Sequence, residues 1–245
     1  MTSMESAVVG SGAGSIGRAS LGLAWLSLAS GCTDVLSFLK LGDLFASAMT
    51  GNSALLAIAL ARGEMLPASR SLTALVGFML GASLATAMRL RGREQQNATR
   101  RLWSLLLMEV VLLGACAALW SASPDPIQGE ALYSVILLLA MSMGVQGVAA
   151  RHVNVSGIST VVFTSVLISM AMSITTRLVG RANPSAPADG ARQHVSTFAA
   201  YLVGAALAAV MVSHALGWLV WVPMAAVLFA LFSWELPDRR RRRAR

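Results

Sequence analysis

Asp34, Thr50, Gly51, Asn52, Glu109, Gln146, Arg151, Thr160 and Thr164 are the residues of this chain best suited to hold a solute or a proton. All lie within long apolar runs or at their ends. A carboxylate in the middle of such a run costs about 2.5–3.5 kcal/mol on membrane-insertion scales, so it usually faces a protein interior and has a use. Asp34 is therefore a candidate proton-linked group; the competing role is as a partner for Lys40 or for polar groups in the next segment. Glu109 sits halfway along another apolar run and is either a second proton site or a strut between helices. The run Met49-Thr-Gly-Asn-Ser53 is polar and carries a helix-weakening glycine. A helix broken there frees N–H and C=O groups. With the Asn52 amide and the Thr50 hydroxyl they can line a pocket, or they can form a tight packing turn. Gln146 and Arg151 close a later run, near Ser159, Thr160 and Thr164. Arg151 suits an ion pair with Asp34 or Glu109, an anionic solute, or an interfacial anchor.

The elements that must position these residues are membrane helices. The chain has 245 residues, 56% of them hydrophobic and 12% charged. Its mean hydropathy is +0.68. A soluble domain carries about 25% charged residues, so this chain has too little polar surface to cover a water-soluble globule. The net charge of +8 is concentrated in arginines at 89–101 and 239–245. In so apolar a chain these arginines are read as topology and anionic-lipid signals, and no nucleic-acid partner is expected. Cys32 and Cys116 fall inside apolar runs and imply no disulfide scaffold. No signal peptide is expected, because residues 10–17 form a flexible polar lead.

Eight apolar segments stand out, at about 20–38, 44–61, 67–88, 102–120, 131–150, 157–174, 195–212 and 217–234. The first four mirror the last four. The run from Phe78 to Met88 aligns without a gap on that from Tyr201 to Met211. Asp34, Asn52 and Ser53 align with Gln146, Thr164 and Ser165, and Trp103 with Trp218. The insertions this alignment needs fall in the loops at 183–190 and 89–101. An internal duplication explains the pattern; shared Gly/Ala/Leu composition is the alternative. The expected organisation is a lead at 1–19, a first membrane repeat at 20–120, an acidic loop at 121–130, a second repeat at 131–234 and an Arg-rich tail at 235–245.

If all eight segments cross, the 89–101 arginines and the C-terminal cluster lie on opposite sides. If 44–61 and 157–174 dip in and return, six full spans remain. Both termini and nearly all the arginines then share the cytoplasmic side, as the positive-inside rule requires. The expected fold is thus an all-α polytopic transmembrane bundle of six full spans plus two interrupted or re-entrant segments. Three spans per repeat make the repeats inverted, an arrangement that places binding sites near the midplane. The second dip lacks the glycine of the first, so a continuous sixth helix or eight crossings stay open. Trp103, Trp120, Trp218, Trp221 and Trp234 mark interfacial belts, whereas Trp25 reads as a packing residue. Gly77 and Gly81 form a G-x-x-x-G spacing that lets helices approach closely.

Several patterns carry no chemistry. Gly12-Ala-Gly-Ser-Ile-Gly17 fits a dinucleotide fingerprint, but a membrane span follows it and no βαβ unit does. His152, His194 and His214 have no metal spacing, and no nucleophile sits beside a base. An enzyme, a metal and a cofactor are not expected.

Gly31-Cys-Thr-Asp34, Phe38-Leu39, Leu41-Gly42, Phe45 and Met49-Thr-Gly-Asn52 resemble the YoaK-like family of bacterial membrane proteins. Met143-Gly144, Gln146, Arg151, Gly157, Ser159-Thr160 and Thr164 resemble the second half of that family's pattern, as does Glu109 in an apolar run. The likeness covers roughly residues 24–234. The chain departs from it at Gly147, where the family commonly has Asn. The resemblance implies about six spans and no particular substrate. Two functions fit. One is an inner-membrane transporter or channel-like permease for a small solute, its path lined by Thr50, Asn52, Gln146 and Thr164 with Asp34 proton-linked. The other is a non-transporting scaffold, accessory subunit or lipid-binding protein. The bilayer is the expected partner in both, and self-association stays open.

Overall fold

The computed structural model describes residues 3–91, 98–152, 163–179, 188–214 and 217–235. Among them are eight α-helices: α1 (Ser3–Lys40), α2 (Met49–Arg62), α3 (Met65–Arg91), α4 (Ala98–Ala122), α5 (Gly129–His152), α6 (Phe163–Leu178), α7 (Ala188–Ser213) and α8 (Val222–Glu235). A 3-10 turn, Gly217–Trp221, leads into α8. Six stretches are long and apolar enough to cross a membrane: Ser20–Lys40, Met65–Arg91, Thr99–Ala122, Gly129–Arg151, Gln193–Ser213 and Gly217–Trp234. With 14 and 16 residues, α2 and α6 are not. At about 1.5 Å per residue, α2 reaches about 21 Å against a hydrocarbon core of about 30 Å. Among the described residues the fold is therefore an all-α bundle with six stretches of spanning length and the shorter α2, while α6 is described only from Phe163. The backbone of α1 is already helical through the stretch expected to be a polar lead, and the apolar span begins at Ser20.

α1 packs on α7 and α8, α5 packs on α3 and α4, and α4 meets α8. α2 lies on α3, α6 on α7, and α1 touches α5. Each half thus makes its main contacts with the other half. The apolar core lies between α1, α4, α5 and α8, with Leu26, Leu105, Leu106, Val135, Ile136, Leu139, Met143, Val227 and Ala230 fully or almost fully buried. Trp25, at the edge of this core, stacks on the outward Phe229 with ring centroids 5.1 Å apart. Outward faces carry Met79, Leu80, Val203, Val210, Phe229 and Phe232. The polar side chains are on the inside. Ser27, Ser30, Thr33, Asp34 and Ser37 of α1, Glu109 of α4, and Ser142 and Gln146 of α5 are all buried.

Small residues permit the two closest helix pairs. A methyl group on Gly31 would strike the Tyr201 carbonyl and the Ala205 amide, and one on Gly204 would strike the Leu28 carbonyl. The same contacts recur between α3 and α5. Gly144 faces the Phe78 carbonyl and the Ala82 amide, and Gly81 faces the Met141 carbonyl. These obstacles are backbone atoms, which cannot rotate away. Gly81→Leu and Gly204→Leu should each lower stability by roughly 1–3 kcal/mol through overpacking. Leu80→Ala, on an outward face, should change it little. Thermal unfolding in detergent micelles checks the contrast.

Candidate functional site

Two buried polar clusters lie on or beside the inward stripe of α1. The first closes the break between α1 and α2. After Lys40 the chain turns through Gly42 (φ 99) and Asp43 (φ 57), in the left-handed region that suits glycine. It then returns inward as non-helical backbone to Met49, where α2 begins. Two side chains satisfy this backbone. Asp34 Oδ1 accepts the Ser47 N–H at 2.6 Å, and Oδ2 accepts the Ser47 hydroxyl at 2.6 Å and the Tyr201 hydroxyl at 3.0 Å. The Ala48 amide also points at this carboxyl group. An acidic side chain from α1 thus sits at the N-terminus of α2, where free N–H groups and the helix dipole favour an acceptor. Asn52 does the second half. Its Oδ1 accepts the Phe45 N–H at 2.9 Å, and its Nδ2 donates to the Phe45 carbonyl at 2.6 Å. Gly51 leaves room for the Phe45 ring, which a methyl group there would meet. Phe45 in turn stacks on Phe38 of α1.

The second cluster joins α1, α5 and α4. Ser30 donates to Gln146 Oε1 at 2.6 Å, and Gln146 Nε2 donates to the Leu26 carbonyl at 3.1 Å. Thr33 donates to the Met143 sulfur at 3.4 Å and to the Ser30 carbonyl at 2.9 Å. Glu109 is fully buried, and neither of its carboxyl oxygens meets a donor at hydrogen-bond geometry. The Gln146 amide is its polar neighbour.

The sequence-derived candidates divide accordingly. Asp34 and Asn52 act on one break, and Gln146 and Glu109 lie side by side in the bundle. Thr50 is exposed and belongs to neither cluster. Arg151 is exposed at the end of α5, away from the bonds that hold Asp34. Lys40 pairs with Asp125 at 3.4 Å instead of with Asp34. Thr160 and the Thr164 side chain lie outside the described residues. Ser47, Tyr201 and Ser30 were missed. Ser30 shares the stripe of Asp34 one turn away, and that spacing was the available signal. Nothing in the sequence joins Tyr201 to Asp34, 167 positions earlier. Among the described residues no group of three or more His, Cys, Asp or Glu could hold a metal.

Asn52→Ala should leave the Phe45 N–H and C=O unpaired, at about 1–3 kcal/mol per buried group. Thr50→Ala should change stability within about 0.5 kcal/mol, as surface substitutions usually do. Denaturant unfolding in micelles measures both.

A family model described as "Protein of unknown function (DUF1275)" matches residues 22–233. The chain is 29% identical over 221 residues to the UPF0700 transmembrane protein YoaK of Bacillus subtilis (strain 168), covering 87% of this chain and 93% of that protein. No solved structure matches. With six apolar helices of spanning length and a transmembrane relative, this is a multi-pass membrane protein, and it belongs to the DUF1275 family, as the YoaK-like motifs implied.

Proposed function

We propose that this protein is a small-solute permease of the inner (plasma) membrane, built from two inverted halves, with both termini cytoplasmic and a proton linked to transport through a buried carboxyl group. The carrying observation is that one set of contacts occurs twice. Leu28, Gly31, Tyr201 and Gly204 are related to one another as Met141, Gly144, Phe78 and Gly81 are. The bonds between α1 and α5 obey the same exchange. Ser30 corresponds to Met143 and Thr33 to Gln146, so Ser30–Gln146 and Thr33–Met143 are mates. This register differs by one residue from the Asp34–Gln146 alignment, and it pairs Asp34 with Gly147. Three spans in each half make the halves antiparallel. The arginines near 89–101 and 239–245 supply the orientation.

An inward polar stripe at the centre of such a pair is what a solute path requires. The scaffold reading draws on the first cluster, where the hydrogen-bonding capacity of Asn52 is already used by Phe45. Water access separates the two. In a cysteine-free background, Ser30→Cys in reconstituted vesicles should react with a membrane-impermeant thiol reagent added on one side. A cysteine there that resists the reagent from both sides, with no flux across a solute panel, makes the protein a scaffold.

A further inference from the structure

The two buried carboxyl groups have opposite surroundings. Asp34 is met by the Ser47 N–H and by the Ser47 and Tyr201 hydroxyls. It acts as a fixed acceptor that holds α1, the start of α2 and α7 together. Glu109 is as deeply buried, and the Gln146 amide beside it does not reach hydrogen-bond geometry with either oxygen.

We propose that Glu109 is the proton-binding site of this protein, that Gln146 is the neighbour which receives the carboxylate when the proton leaves, and that Asp34 is a latch which does not exchange its proton. The surroundings of Glu109 support the assignment. α4 packs on α5, α8 and the 3-10 turn before α8. Residues 217–234 carry no titratable group. On α5, Glu130 and Tyr133 lie near one end and Arg151 and His152 at the other. On α4 itself, Arg100 and Arg101 stand at the start and Cys116 lies two turns beyond Glu109. α1, which touches α5, carries Glu5 and Arg18 before its apolar span and brings Cys32, the latched Asp34 and Lys40, which is paired with Asp125. No cation therefore stands against Glu109 among the described residues. An ionised carboxylate with no counter-charge and no well-made hydrogen bond is among the costliest groups a bundle interior can hold, and a bound proton removes the charge from that cost.

Gln146 supplies the other state. Its amide has two N–H donors, and the described bond to Leu26 occupies one. The second N–H can turn to the Glu109 carboxylate after proton loss. Gln146 also holds Ser30, so occupancy of Glu109 bears on the contact between α1 and α5, where the two halves meet. Coupling of this proton to a solute rests on the permease reading; occupancy of the site does not, and it is measured without solute.

Infrared spectroscopy of the full chain in lipid tests the assignment through the C=O stretch of a protonated carboxylic acid. The wild type should show this band at neutral pH. Glu109→Gln should lose it and Asp34→Asn should keep it. The band should shift in D2O and diminish as the pH is raised. A band that survives Glu109→Gln overturns the proposal, and so does one lost in Asp34→Asn. A band that never shifts in D2O marks a sealed strut and also overturns it. Should Glu109→Gln not fold, 13C-labelled glutamate in the wild type assigns the band, since Asp34 stays unlabelled. A band that does not move with that label has the same adverse meaning.

Discussion

A helix interrupted inside a hydrocarbon slab must satisfy its own backbone, because no water is there to do it. The chain between α1 and α2 meets this demand with two side chains. Asn52 takes both backbone groups of Phe45, as a neighbouring strand would. Asp34 takes the amide and hydroxyl of Ser47 at the entry to α2. With those bonds made, a 14-residue helix can begin in the interior instead of at the surface. The same bonds account for Asn52 without any solute, because its amide bonds to protein backbone.

Close approach is the second requirement. Apolar helices in lipid gain little from hiding from one another, so packing and interhelical hydrogen bonds must hold them. Glycines at 31, 81, 144 and 204 place helix backbones against each other's carbonyls. Between these pairs, α1 and α5 make their own contact through Ser30, Gln146, Thr33 and Met143. The buried polar side chains of α1, α4 and α5 therefore gather beside the apolar core.

Much of this was legible in the sequence. Apolar runs gave the six spans, and the interrupted run at 44–61 shortened to α2 because its first residues, through Ala48, are non-helical backbone tied to Asp34 and Asn52. The Gly81–Gly204 alignment was visible because both helices are long and ungapped there. The Asp34–Gln146 alignment follows polar character, whereas the close backbone contacts relate Gly31 to Gly144, one residue away in register. Partners distant in sequence could not be read. Tyr201 reaches Asp34 only because α7 crosses α1 at Gly31 and Gly204. Glu109 was as visible as Asp34, but its having only the Gln146 amide beside it, short of hydrogen-bond geometry, is a property of three dimensions.

The exchange of partners between halves has a consequence for synthesis. α1 rests on α7 and α8, which begin at Ala188 and Val222, long after α1 ends at Lys40. Until they emerge, Asp34 lacks the Tyr201 hydroxyl that meets it, and the rest of that face of α1 is bare. The first half, made before α7 and α8, is therefore a poor resident of lipid by itself.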